Sequence, residues 1–240
     1  FHKFSFLETI DKADSLGIKY LEVYPGQKVG GEFPGVFSYS LDKDARDKLM
    51  QHLSYRKMKV IALGVIDKEY YNKSNLELFF EFANYMKIPF IVAEPEWQDL
   101  DEFNRLAAKY KIKVALHCHP KPSSHYWHPD STAKAIKNRT NLGAWPDIGH
   151  WARNGVQIET ALEKLKGRIM GMHLKDITAF DNLAAEDTIL GKGVCKIAGV
   201  IKQMKAQNFK GVYSIEYEVN PENNMEAMKE NVLYYKSQVK

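Results

Sequence analysis

Apolar and polar positions alternate along this chain in two rhythms. Short apolar runs lie at 18–24 (IKYLEVY), 59–65 (KVIALGV), 90–95 (FIVAEP), 113–119 (KVALHCH), 142–150 (LGAWPDIGH), 169–175 (IMGMHLK) and 211–218 (GVYSIEYE). Their length and β-branched content predict strands. Other stretches place apolar residues three and four apart, at 6–17, 42–57, 75–87, 100–111, 158–166, 196–207 and 224–235. That spacing predicts amphipathic helices. Gly17 and Gly211 sit where a helix should stop before a strand.

Strands alternating with helices predict a parallel α/β architecture. An eighth strand ahead of the first helix, short and within 1–4 or partly missing, completes a (β/α)8 TIM barrel. An open doubly wound sheet is the rival, but the chain has neither GxGxxG nor GxxxxGK[ST]. No Gly/Ser linker or low-complexity stretch divides the chain, so residues 1–240 are expected to form a single domain.

In such a barrel the chemistry sits at the C-terminal ends of strands. Ionisable residues recur there: Glu22, Glu94, His117, His119, Asp147, His150, His173, Lys175, Glu216 and Glu218. Strand parity places Ala115, His117 and His119 on one face, with Gly171 and His173 likewise opposite bulky neighbours. The polar face is expected to point into the barrel mouth. Cys118, on the other face, is expected to be a small packing residue among the helices. Four groups, His117, Asp147, His173 and Glu216, predict a site for a divalent metal ion. Their mixed imidazole and carboxylate chemistry suits Mn, Zn, Co, Fe or Ni better than Ca. A lone histidine at a strand end is usually a hydrogen-bonded core residue, but four converging ionisable groups would be costly to bury without a metal or substrate.

Composition adds limits. The net charge of +4 is mild and spread out, so a small carbohydrate partner is expected and nucleic acid is not. No apolar run is long enough for a membrane span, and two distant cysteines give no disulfide framework. The chain as given shows no targeting segment. A soluble protein is expected, cytoplasmic or periplasmic after removal of a signal; a homo-oligomer stays open.

The motifs YLEVY around Glu22, ALHCHP, PDIGHW, MHLKD, LGKGVC and SIEYE together resemble those of the sugar phosphate isomerase/epimerase family with the xylose isomerase-like TIM barrel. The resemblance runs from about residue 6 to the last helix. It implies a divalent metal ion held by Asp147, His173, Glu216 and the residue at the first ligand position. That position usually carries Glu; here it is His117. In the epimerases two glutamates flank the substrate as paired acid/base groups, and His117 breaks that pair.

The resemblance implies an isomerase or epimerase that removes a proton next to a carbonyl of a sugar or sugar derivative. Glu216 is a candidate base, with His150, His119, Lys175 and Glu94 as further catalytic candidates. Glu22, Tyr126, Trp127, Trp151 and Lys192 are candidate substrate contacts. Tyr126 and Trp127 suit either a sugar-facing rim or an apolar anchor for a helix starting at Pro129. The turn of Gly191, Lys192 and Gly193 suits either a ligand near backbone N–H groups or an ordinary loop. Arg153 faces substrate or solvent. The broken glutamate pair also fits a metal-dependent lyase or hydratase of keto-sugars or keto-glycosides. An endonuclease IV-like nuclease, or a non-catalytic sugar-binding barrel, has less behind it.

Overall fold

Phe1–Phe4 turns back on itself through a 3.1 Å bond from the Phe4 N–H to the Phe1 carbonyl, so no strand lies in 1–4. The structure is a computed structural model and describes residues 1–239. The chain forms two compact units, Phe1–Val114 and Ala115 onward.

In the first unit, helix α1 (Phe6–Ser15) starts at a reciprocal cap. The Ser5 hydroxyl accepts the Glu8 N–H at 3.3 Å, and the Glu8 carboxylate accepts the Ser5 N–H at 2.8 Å. Its apolar stripe buries Phe6, Ile10 and Ala13. Strand β1 (Tyr20–Val23) follows, with Leu21 and Val23 buried and Glu22 half-buried between them. The hairpin of β2 (Lys28–Gly30) and β3 (Phe33–Val36) departs from the expected pattern. Gly30 and Gly31 both take positive φ, which lets so short a turn form.

Helix α2 (Lys43–Tyr55), capped by Asp42 onto the Ala45 N–H at 2.8 Å, leads into β4 (Lys59–Ile66). Helix α3 (Leu76–Tyr85), β5 (Phe90–Ala93) and α4 (Leu100–Tyr110) complete the alternation. Strands β1, β4 and β5 lie side by side and parallel. Phe37 packs between Phe6 and Phe82, with ring centroids 4.7 and 5.3 Å away. Glu94 follows β5 directly and is buried; its N–H donates to the Ile66 carbonyl at 2.9 Å. Strand β6 (Lys113–Leu116) begins here and ends in the second unit.

The second unit runs through α5 (Pro129–Ile136), β7 (Leu142–Ala144), α6 (Ile148–Arg153), α7 (Ile158–Lys164) and β8 (Gly171–Leu174). A small antiparallel pair, β9 (Asp176–Ile177) and β10 (Asp187–Thr188), precedes α8 (Ile197–Ala206), β11 (Val212–Ile215) and α9 (Met225–Gln238). Strands β8 and β11 are parallel, in a register that sets Ser214 against His173. Parallel bridges at Ala144–Ile169 and Asp147–His173 tie β7 to β8. The small residue on the inner face of β8 has a packing reason. A Cβ at Gly171 would lie 2.3 Å from the Trp145 ring, which fills that space.

All seven expected strands form, but the run at 142–150 does not stay extended. Strand β7 stops at Ala144, ahead of Pro146, and Asp147 becomes the N-cap of α6. The D-x-x-H motif is therefore a helix start, with His150 on the first turn.

Candidate metal and active site

Four loops and strand ends of the second unit bring the predicted ligands together. His117 follows β6, Asp147 caps α6, His173 lies in β8 and Glu216 follows β11. One ligand atom from each lies within 4.8 Å of all the others. His117 Nε2 is 3.2 Å from His173 Nδ1, which is 2.5 Å from Glu216 Oε2 and 3.9 Å from Asp147 Oδ2. The backbone fixes these positions. The Glu216 N–H extends the β8–β11 pairing by donating to the Leu174 carbonyl at 3.1 Å. Asp147 Oδ1 accepts the His150 N–H at 2.9 Å, which leaves Oδ2 to face the cluster.

Cys118 does more than fill space. Its sulfur accepts the Asp147 N–H at 3.3 Å and so anchors a candidate ligand. No sequence signal ties it to residue 147.

The donor set fits a cation. Asp147 and His117 are buried, and Glu216 keeps 28% side-chain exposure while its Oε2 is itself buried. Neither Asp147 Oδ2 nor Glu216 Oε2 has a hydrogen bond. His173 Nδ1 is the group closest to Glu216 Oε2, at 2.5 Å. Buried carboxylate oxygens aimed at two imidazoles suit a borderline divalent ion such as zinc.

Lys175 lies beside this cluster and is fully buried. Its Nζ is 3.2 Å from Asp147 Oδ2, 3.1 Å from Glu216 Oε1 and 2.9 Å from Glu218 Oε2. Burial alone would neutralise the amine, but Asp147, Glu216 and Glu218 outweigh it and raise the Lys175 pKa well above normal. Lys175 is thus an ammonium, and the geometry does not favour it as a base. Burial also opposes the Glu216 charge, yet Lys175 and His173 hold that carboxyl well below its usual range. Asp147 is likewise lowered against its burial, by His150 and Lys175. His150 is pushed down to about 3 by burial, with Lys175 reinforcing and Asp147 opposing, so its ring is neutral.

Gly149 of the D-x-G-H motif is required by this lysine. A Cβ there would meet Lys175 Cγ at 2.7 Å and Cβ at 2.9 Å. Gly149→Ala is expected to lower stability by about 1–3 kcal/mol, the usual cost of overpacking. Thermal unfolding measures this, and an unchanged midpoint would show that the lysine stem yields freely.

The remaining predicted residues divide. His119 joins the cluster, its ring centroid 4.7 Å from that of His117 and 5.5 Å from that of His150. Tyr126 is fully buried at the start of α5, where its N–H donates to the Ser124 hydroxyl at 3.0 Å. That supports the helix-anchor reading over a sugar-facing rim. Trp127 lies under the Lys121 ammonium, 3.6 Å from the ring centroid. Trp151 is buried in α6. Lys192 is exposed and pairs with Glu230 at 2.7 Å. The neighbouring turn offers no free anion cradle. Asp176 already takes the N–H groups of Gly191, Gly193 and Cys195 at 2.9, 3.0 and 2.9 Å. Glu22 and Glu94 belong to the first unit.

A family model described as xylose isomerase-like TIM barrel matches residues 10–238, running through both units. The chain belongs to this family and has its fold, with helices alternating with parallel strands. An uncharacterised protein of Parabacteroides distasonis shares 33% identity and a TM-score of 0.79, over 100% of this chain and 95% of that one. Inosose dehydratase of Lactiplantibacillus plantarum is 23% identical over 238 residues, covering 82% of this chain and 78% of the relative. The IolI protein, solved with a zinc atom, has a TM-score of 0.77 at 16% identity, over 98% of this chain and 93% of that one. No helix among the described residues is long and apolar enough to cross a membrane.

Proposed function

We propose that the chain is a metal-dependent enzyme that removes a proton from the carbon next to a carbonyl of a sugar or sugar derivative, and so isomerises or epimerises it. The observation that carries this reading is the convergence of His117, Asp147, His173 and Glu216 with two buried carboxylate oxygens left without hydrogen bonds. These four side chains would hold one ion of Mn, Zn, Co, Fe or Ni. Such an ion, when bound, supplies Lewis acidity toward a carbonyl or hydroxyl oxygen. Lys175 adds a fixed positive charge beside the same oxygens, which favours developing enediolate charge. Glu216 has one oxygen toward the ligands and the other on Lys175. Within the second unit, half-buried His119 is then the base candidate beside the cluster.

A second reading is a dehydratase or lyase of keto-sugars or keto-glycosides. His117 at the position where the resemblance implies Glu favours it, because proton removal from one face suits elimination. The likeness to inosose dehydratase agrees.

The test is metal analysis followed by NMR in deuterated water with free ketoses, sugar phosphates and 3-keto glycosides. Deuterium should enter at the carbon next to the carbonyl, stop on chelation and return with Zn²⁺ or Mn²⁺. Retention of all substituents would mark an isomerase; loss of a β-substituent would mark a lyase. A protein that binds no divalent metal, or exchanges no proton across the panel, would overturn the proposal.

A further inference from the structure

His150 is surrounded by more hydrogen-bond donors than a neutral imidazole can accept. Arg153 Nη1 is 2.9 Å from His150 Nδ1, and the Lys175 ammonium is 3.4 Å from His150 Nε2. A guanidinium only donates and keeps its charge, so the atom it meets at 2.9 Å must present a lone pair. A neutral ring has one such nitrogen. The shorter contact claims it, and the ring proton falls on Nε2.

Arg153 is held firmly in this role. Its side chain is 12% exposed. Its Nη2 donates to Asp187 Oδ1 at 2.7 Å, and its Nε donates to the Ala185 carbonyl at 3.0 Å. Asp187 is fixed in turn, because its other oxygen accepts the Glu218 N–H at 2.9 Å. Two of the three guanidinium nitrogens are thus held, and the third points at His150. On the far side of the ring, Nε2 lies 3.5 Å from Asp147 Oδ2, the oxygen that faces the ligand cluster.

We propose that Arg153 is a positioning residue that fixes His150 as the Nε2–H tautomer, making His150 a hydrogen-bond donor toward oxygens at the cluster and removing it from the general bases. The role of that donor rests on the sugar-enzyme reading above; the tautomer does not. Sequence reasoning could place His150 in the site but could not assign its proton, because Asp187 lies 34 positions from Arg153.

The tautomer is read directly from long-range ¹H–¹⁵N correlation spectra of the ¹⁵N-histidine-labelled full chain. His150→Gln assigns the resonances by their loss. In the unmodified protein, Nδ1 should show the shift of an unprotonated nitrogen and Nε2 that of a protonated one. In Arg153→Gln, Lys175 becomes the remaining donor to the ring, and the proton should move toward Nδ1. Arg153→Met, which keeps the apolar stem and donates nothing to the ring, serves if the first variant does not fold. A proton on Nδ1 in the unmodified protein, or unchanged His150 nitrogens in the folded Arg153 variants, would overturn the proposal. A second arm measures α-proton exchange. Gln supplies an N–H near the position of Nε2, so His150→Gln should lose about tenfold or less. His150→Ala should lose at least ~100-fold, the usual cost of removing a donor at developing oxygen charge. Equal losses in both would show that His150 acts as a base. The spectra need neither substrate nor metal, so a failed tautomer leaves the enzyme reading standing, and a failed enzyme reading leaves the tautomer measurable.

Discussion

Asp147→Asn is expected to remove divalent metal binding and, with it, α-proton exchange, while leaving the fold in place. Asn keeps the size of the side chain and is as good a helix cap as Asp. The 2.9 Å bond from the His150 N–H, which starts α6, should therefore survive. What disappears is the negative charge at the buried oxygen facing His173 and His117. Loss of an outer partner of a metal site commonly costs about 10–100-fold in affinity, so loss of a charged ligand should cost at least ~100-fold. Calorimetric titration with Zn²⁺ and deuterium exchange on one substrate would measure both. Asp147→Ala should add a fold defect, because it removes the cap as well, worth about 1 kcal/mol. If Asp147→Asn bound Zn²⁺ as tightly as the unmodified chain, the four-residue site would be wrong.

Much of this site was legible in the sequence because its members occupy strand ends. Parity alone put His117 and His119 together and His173 opposite its bulky neighbours, and the structure brings His117, His173 and Glu216 within ligand distance. Asp147 lies beside them, but as a helix cap rather than a strand end. The apolar run around it reads as one long strand, but Pro146 cannot continue the ladder and Asp147 is a good cap, so a helix begins there. The hairpin of β2 and β3 was hidden because its turn is made by Gly30 and Gly31 and its second strand contains Pro34, all of which weaken the alternation of a strand.

Side-chain type without knowledge of neighbours says little about substrate contacts. Tyr126 and Lys192 are the kinds of side chain that bind sugars or phosphates, yet one is sealed at the start of a helix and the other pairs with Glu230 in solvent. The Gly191–Gly193 spacing does mark a turn of bunched N–H groups. Their anion is supplied internally by Asp176, from the MHLKD motif itself. Cys118, Arg153 and Asp187 act through partners that are 29 to 34 positions away, beyond any local pattern.

Lys175→Met should be the most destabilising single change at the site, and divalent metal should partly reverse it. Met preserves most of the stem that packs over Gly149 and removes only the charge. Asp147 and Glu216 would then keep buried negative charge without the ammonium that lies 3.2 and 3.1 Å away. Breaking a buried ion pair by removing one partner costs roughly 3–5 kcal/mol. For a chain of this size that corresponds to a fall of about 10 °C in the unfolding midpoint. Glu218 adds little to the penalty, because half of its side chain is exposed and water can screen it. A divalent ion bound by the same two carboxylates would restore much of the lost balance. Zn²⁺ should therefore raise the midpoint of the variant by more than it raises that of the unmodified protein, in proportion to its preference for the folded state. Differential scanning calorimetry with and without Zn²⁺ gives all four midpoints. If the metal-free variant were as stable as the unmodified chain, the carboxylates would not depend on Lys175. If Zn²⁺ stabilised both proteins equally, lysine and metal would not share the same negative charge.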